Sequence, residues 1–220
     1  MSSEKIRGLI IRENFYGESD KFLIIFAKDI GKISVFAKGA RNTKSKFLAS
    51  SSLFTYGDFI IRTATKTPTL ISADVIENFY GIRSNFSAAA YASYFAEFTD
   101  KAFLENIPDN NALLLILKSL QKLSNESLDP RLAGCVFQLR LLDILGYRPD
   151  EKTTALYSLG NEALSAVNYI LSVPLNNAFS IKASKELIRE LEYFTEKYIE
   201  YHIDIKLKSY KILKDLIMKN

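Results

Sequence analysis

Residues 21–46, KFLIIFAKDIGKISVFAKGARNTKSK, contain two strand-like runs, the turn between them and a basic loop. The runs are rich in Ile, Val and Phe, and residues 29–31, Asp-Ile-Gly, separate them, which is the pattern of a tight β-hairpin. Alternation along the second run puts Val35 on one face and Phe36 and Lys38 on the other. Phe36 therefore shares a face with the start of the basic loop.

Three further runs of similar composition flank this hairpin, separated by Gly, Asn, Asp, Ser or Pro. They predict five strands in all, over residues 6–12, 21–28, 31–38, 53–62 and 69–76. Five short strands with a basic loop between the third and the fourth are typical of the oligonucleotide-binding (OB) barrel, and a small β-sandwich is the alternative. Residues 49–52, Ala-Ser-Ser-Ser, resemble a flexible joint.

From residue 78 onward the hydrophobic pattern takes a helical period. The clearest helix has Asp129 as its N-cap, Pro130 in its first turn and Gly146 at its C-terminal end. Other helices are expected over 88–98, 110–123, 161–173, 180–204 and 206–218, with 147–160 as a connector. The predicted fold class is α+β, with an OB-fold barrel over residues 1–80 followed by an all-α helical domain over residues 81–220.

The positive charge of the chain is concentrated in the predicted barrel. Residues 1–80 carry 12 Lys and Arg against 8 Asp and Glu, whereas residues 81–220 carry 17 of each, so the first part holds the whole net charge of +4. No acidic residue lies between Asp29 and Asp58, an interval with five cations: Lys32, Lys38, Arg41, Lys44 and Lys46. This composition indicates contact with a polyanion, although a solvated hairpin tip has the same composition.

Two aromatic residues complete the candidate nucleic-acid site. Phe36 lies on the face of the basic loop, and Tyr56 falls on the outward side of the fourth predicted strand. Aromatic rings beside cations can stack unpaired bases, each worth about 1–3 kcal/mol, while the cations hold the phosphates. The alternative is that both rings belong to the barrel core. The DNA-binding candidates are Lys32, Phe36, Lys38, Arg41, Lys44, Lys46 and Tyr56.

The residues that catalysis would need are scarce. The sequence lacks the Gly-x-x-x-x-Gly-Lys-Ser/Thr pattern of nucleotide hydrolases, and its one histidine, His202, lies at a helical packing position. The single Cys135 excludes an intrachain disulfide and a cysteine-rich zinc site. We therefore expect no catalytic residue, no metal and no cofactor. Because neither a signal peptide nor a membrane-spanning run is visible, we expect a cytoplasmic protein.

Several short motifs carry a resemblance to a known family. In chain order they are GLII at 8–11, YGESDK at 16–21, AKGAR at 37–41, KSK at 44–46, AEFTD at 96–100, FQLRLL at 137–142 and GYRP at 146–149. With these motifs, the chain resembles the bacterial RecO family of recombination mediators and DNA-repair proteins. The similarity covers roughly residues 5–150.

The resemblance implies an OB barrel joined to a helical domain, with binding to single- and double-stranded DNA and annealing of complementary strands. It also implies work with RecR to load RecA recombinase onto DNA coated by single-stranded DNA-binding protein. Lys38, Arg41, Lys44 and Lys46 match the basic loop of the family and inherit its role in DNA contact.

One departure concerns a four-cysteine zinc module, which many members carry after the Gly-Tyr-x-Pro turn. Residues 150–160 contain no cysteine, so the metal is absent and partner contact through that lobe is in doubt. An adaptor that acts through its helical domain, with weak DNA binding, remains the alternative function.

Overall fold

The computed structural model describes residues 2–63 and 66–217 and divides into two compact units. The first unit comprises residues 1–80 with 96–113, and the second comprises residues 81–95 with 114–220. The predicted division at residue 80 assigned 96–113 to the helical domain, whereas these residues pack in the unit that contains the strands. The α+β class is confirmed, because five strands precede eight α-helices in the described ranges.

The first unit is built on a closed barrel. Its strands are β1 (Ser3–Tyr16), β2 (Asp20–Ala27), β3 (Gly31–Ala37), β4 (Tyr56–Arg62) and β5 (Thr69–Glu77). Their order around the barrel is β1-β2-β3-β5-β4, and β4 pairs with β1 to close it. The link between β3 and β5 is parallel, at Phe36 and Thr69. The predicted OB-fold barrel is therefore confirmed, and the sandwich alternative is excluded.

Two strand boundaries differ from the prediction. β1 is longer than residues 6–12, because an irregularity between Ile10 and Arg12 lets one strand pair with both β2 and β4. The fourth strand begins at Tyr56 instead of Leu53, because Phe54 adopts a positive φ of 68° and lies in a turn. The alternation predicted for β3 is correct, since Val35 is fully buried inside the barrel.

The loop between β3 and β4 closes one end of the barrel. Ala40 and Phe47 belong to the barrel core, with 0% and 7% of their surface exposed. Ser50 and Ser51 are also buried, and the Ser51 amide donates to the Phe47 carbonyl at 2.9 Å. The interpretation of residues 49–52 as a flexible joint is wrong, because this serine-rich run forms a turn packed against the core.

The α-helices account for most of the second unit and contribute residues 96–102 and 110–113 to the first. They are α1 (Phe86–Ala102), α2 (Asn110–Ser124), α3 (Pro130–Ile144), α4 (Glu151–Leu156), α5 (Asn161–Ser172), α6 (Leu175–Ala178), α7 (Lys185–His202) and α8 (Lys208–Ile217). The predicted connector 147–160 contains α4, whose first turn is held by a capping box between Asp150 and Thr153. Helix α7 begins later than predicted, with Ser184 as its N-cap. Met218, the predicted end of the last helix, lies outside the described residues.

Helix α3 is the central helix of the second unit. It begins as predicted, with the Asp129 carboxylate accepting from the Arg131 amide, and Gly146 follows its end with a φ of +84°. Phe137 stacks on Phe95 with the ring centroids 4.1 Å apart, inside the core. Across the described ranges, we find no helix that is both long enough and apolar enough to span a membrane.

Candidate nucleic-acid interface

The first turn of the basic loop is fixed against the connection between β1 and β2. The Gly39 amide donates to the Asp20 carboxylate at 2.6 Å, and the Arg41 amide donates to the Ser19 carbonyl at 2.8 Å. Gly39 has a φ of +65°, which a residue with a side chain rarely adopts. These contacts hold the loop backbone in one position, so its cations project from a defined surface.

Four of the loop cations are exposed, and the described residues give them no carboxylate partner. Within the described part of the chain, no ion pair involves Lys38, Arg41, Lys44 or Lys46. The Lys46 ammonium donates to the Ile71 carbonyl at 2.8 Å, which orients it without neutralising it. The positive charge of this loop therefore remains available to an external anion.

Lys32 has a different environment from the four loop cations. Its ammonium lies 3.2 Å from the Asp100 carboxylate, and only 12% of its side chain is exposed. Arg12 pairs with the same carboxylate at 2.6 Å, and Asp100 is itself buried. Lys32 is thus neutralised inside the first unit, and the structure does not bring it into the candidate site. The AEFTD motif at 96–100 supplies the acid that this network needs.

Phe36 belongs to a cluster of three rings on the outer face of the barrel. Its ring centroid lies 5.0 Å from that of Phe22 and 6.1 Å from that of Tyr16. Tyr16 is 57% exposed, while Phe22 and Phe36 are half-buried. We call Tyr16, Phe22 and Phe36 the aromatic cluster. Its rings can offer faces and edges to unpaired bases beside the basic loop.

The site also includes residues that the sequence analysis missed. The Arg41 guanidinium lies 4.4 Å from the ring centroid of Phe15. Phe15 lies in β1 and is 65% exposed, so this contact links the loop to β1. Phe22 was missed as well, although the hairpin turn at 29–31 fixes the register that pairs it with Phe36. That register could have been obtained by counting outward from the turn.

Tyr56 lies away from the aromatic cluster. Phe36 pairs with Thr69 of β5, and Thr69 pairs in turn with Arg62 of β4. Arg62 lies at the opposite end of β4 from Tyr56. Tyr56 and Arg62 are six positions apart along β4, a distance of about 20 Å. The structure therefore does not bring Tyr56 together with Phe36.

Two cations near Tyr56 also pair with a carboxylate. Asp58 accepts from the Arg7 guanidinium at 2.6 Å and pairs with the Lys5 ammonium at 2.9 Å. The hydrogen bond from Arg7, followed by that from Lys5, lowers the pKa of the Asp58 carboxyl well below its usual range. These two cations share one carboxylate, which offsets half of their charge, whereas no ion pair in the described ranges involves the four loop cations.

The second unit places the remaining candidate groups in packed surroundings. The His202 ring stacks on Tyr198 with centroids 4.2 Å apart, as expected for a packing residue. Cys135 is buried, and burial raises the pKa of its thiol well above the usual value, so the thiol is unreactive. The described side chains include no group of three or more His, Cys, Asp or Glu that could hold a metal ion.

Comparisons with known proteins match this chain to two family models and to several relatives. The family model for the N-terminal part of recombination protein O matches residues 1–79, and the model for its C-terminal part matches residues 83–156 and 151–211. The chain is 30% identical to the DNA repair protein RecO of Acetivibrio thermocellus, over 98% of each chain. It is 35% identical to the DNA repair protein RecO of Bacillus cereus strain AH187 over 153 residues, which are 70% of this chain and 61% of that protein.

Proposed function

The chain belongs to the RecO family of DNA repair proteins, and on that premise we propose that it binds single- and double-stranded DNA and anneals complementary strands. We further propose that it acts in the cytoplasm with RecR to load RecA onto DNA coated by single-stranded DNA-binding protein. These partners follow from family membership alone. The protein makes or breaks no covalent bond in this role.

One observation carries the DNA-binding part of the proposal. Four unpaired cations lie on a loop that is anchored beside three clustered rings and Phe15, on one outer region of an OB barrel. Cations supply most of the affinity for a phosphate backbone, and the rings add contacts that only unpaired bases can make. This region therefore suits single-stranded DNA better than a duplex.

Annealing follows from the same physics. Two complementary strands repel each other through their phosphates, and a basic protein surface screens that repulsion while both strands are held. Pairing then removes the exposed bases from the aromatic cluster, so the product is held less tightly than the separate strands. The step needs no acid, base or metal.

A salt titration tests the proposed interface. Replacement of Lys38, Arg41, Lys44 and Lys46 by alanine removes four phosphate contacts, so the slope of log K against log salt for single strands should fall in magnitude by about 3. The matched control replaces four other exposed cations by alanine, namely Lys28, Lys101, Lys152 and Lys211. Both variants lose four charges, but the control should keep most of the slope.

The two results discriminate between the proposed function and its alternative. A loss of slope in the loop variant alone supports the interface. An equal loss in both variants would mean that net charge, and not the loop, attracts DNA. An unchanged slope in both variants would favour an adaptor in which the barrel does not hold DNA.

A further inference from the structure

A basic groove lies in the second unit, where α3 and α7 begin. It consists of two adjoining cavities of about 470 and 380 Å³, which share Asp129, Lys185 and Ile188 in their lining. We call this pair of cavities the helical groove. Neither the family motifs nor the basic loop of the barrel includes any of these residues.

The helical groove is lined by more cations than anions. Its basic residues are Lys122, Arg131, Lys182, Lys185 and Arg189. Arg131 is neutralised by Glu192, with its Nε 2.9 Å from that carboxylate, but no ion pair in the described ranges involves the other four. Three of them, Lys182, Lys185 and Arg189, are exposed.

Asp129 is the one carboxylate among the described lining residues of the groove, and it is already bound to the backbone of α3. Its Oδ1 accepts from the Arg131 amide at 2.8 Å, which caps α3. Helix α7 is capped in the same way, because the Ser184 hydroxyl accepts from the Leu187 amide at 3.1 Å. The attraction of the groove for anions thus comes from its side-chain cations and not from open helix ends.

Three apolar residues of the groove lie below its accessible surface, and its remaining apolar residues are partly exposed. Leu132, Phe179 and Ile188 are at most 4% exposed, and Phe179 is the one aromatic residue in the described lining. Because Phe179 is buried, the described lining offers no accessible ring to a base. Lys185 and Arg189 stand one helical turn apart on α7, about 5–6 Å between their Cβ atoms, so they can contact successive charges of a linear polyanion.

We infer that the helical groove is a second nucleic-acid site, which holds a strand by its phosphates alone, whether that strand is single or paired. This inference rests on the proposed function, because annealing brings two strands to the protein. The barrel would hold an unpaired strand through rings and cations, and the groove would hold the second strand through cations only. An acidic peptide is the other polyanion that these cations can attract, and the measurement with polyglutamate distinguishes it from a nucleic acid.

Replacement of Lys182, Lys185 and Arg189 by alanine tests the inference. The variant should anneal complementary oligonucleotides at least about tenfold more slowly, and its salt slope for duplex DNA should fall in magnitude by about 3. Its control replaces Lys101, Lys152 and Lys211 by alanine, which removes the same charge from exposed positions outside the groove. The control should anneal within about twofold of the unaltered protein.

A second measurement locates the contact on the intact chain. Acetylation of lysines followed by mass spectrometry should show Lys182 and Lys185 protected by a saturating 30-mer duplex, with Lys152 and Lys211 unchanged. Equal reactivity of all four lysines, or unaltered annealing by the groove variant, would overturn the inference. Protection by polyglutamate but not by DNA would also overturn it, in favour of an acidic protein partner.

Failure of the inference and failure of the proposed function give different results. If only the loop variant loses DNA binding, the helical groove is not a nucleic-acid site and the proposed function stands. If only the groove variant loses it, the groove binds DNA and the barrel loop does not.

Discussion

Two regions of the barrel's outer face carry the same kinds of residue but are surrounded differently. In the first region, Arg12 and Lys32 pair with Asp100, and Phe26 packs against Phe103, with 5.4 Å between ring centroids. In the second region, no carboxylate among the described residues pairs with the four loop cations, and Tyr16 of the aromatic cluster is exposed. Residues 96–113 supply the acid and the ring that distinguish the covered region from the open region.

This difference shows that cations and rings become a binding surface only where the protein leaves them unmatched. A buried cation with its own carboxylate contributes to packing, and an exposed cation without one contributes to the recognition of anions. We use the covered and open regions to rank the following experiments by the size of the expected effect.

The largest effect should come from Asp100→Ala in the covered region. This change leaves Lys32 partly buried without a counterion, which should lower the free energy of unfolding of the barrel unit by about 3 kcal/mol. Native-state hydrogen exchange of the barrel amides measures that loss. The control, Asp74→Ala, removes an exposed carboxylate and should change stability by less than about 0.5 kcal/mol.

The same experiment can contradict the proposed difference between the covered and open regions. If Asp100→Ala costs no more stability than Asp74→Ala, the covered region is not held by its ion pairs. The assignment of Lys32 to structure would then be wrong.

The next largest effect should come from the open region, on replacement of Phe22 and Phe36 by alanine. Loss of their stacking should weaken single-stranded DNA binding by about 1–3 kcal/mol, while duplex affinity stays within about twofold because paired bases cannot reach the rings. Fluorescence anisotropy with both DNA forms measures this. Tyr56→Ala is the control and should change neither affinity. If the double variant lost equal affinity for single-stranded and duplex DNA, stacking would be contradicted.

A smaller effect is expected from Arg41, which combines charge with a ring contact. Arg41→Ala should lower the magnitude of the single-strand salt slope by about 0.7, because one phosphate contact is lost. Arg41→Lys keeps the charge and so the slope, but it loses the flat contact with Phe15, worth about 0.5–1 kcal/mol. Identical slopes for the two variants would show that Arg41 does not meet a phosphate.

The smallest effect is expected at Asp58, the carboxylate that pairs with Arg7 and Lys5. Because Arg7 and Lys5 lower its folded pKa, the ionised carboxyl stabilises the fold above the unfolded pKa of about 3.9, and this stability disappears as pH falls through the folded pKa. Asp58→Asn should therefore have a lower melting temperature than the unaltered protein at pH 7. The gap should persist to about pH 4 and narrow below it. A gap already closed at pH 5 would contradict the assignment.

The part of this organisation that is local in sequence could be predicted from the sequence. The turn at 29–31 fixes the β2–β3 hairpin, the alternation of β3 gives the outward position of Phe36, and Asp129 marks the start of α3. Each of these features depends on residues within a few positions of one another, so propensity and periodicity are sufficient.

The part that depends on distant residues could not be predicted. Lys32 and Asp100 are 68 positions apart, so their pairing requires the packed first unit. The separation of Tyr56 from Phe36 could not be predicted, because alternation gives the face of a strand on which a residue lies but not its height along the barrel. Residues 49–52 were misread because a buried serine turn has the composition of a linker, and only the burial of Ser51 distinguishes the two.

The central claim is that the open region of the barrel holds an unpaired strand. Photocrosslinking of a single-stranded oligonucleotide with 5-iodouracil at every position, read by peptide mass spectrometry, tests it most directly. We expect crosslinks at Phe15 and at members of the aromatic cluster, and none at Tyr56. Crosslinks at Tyr56 with an unmodified aromatic cluster would contradict the account.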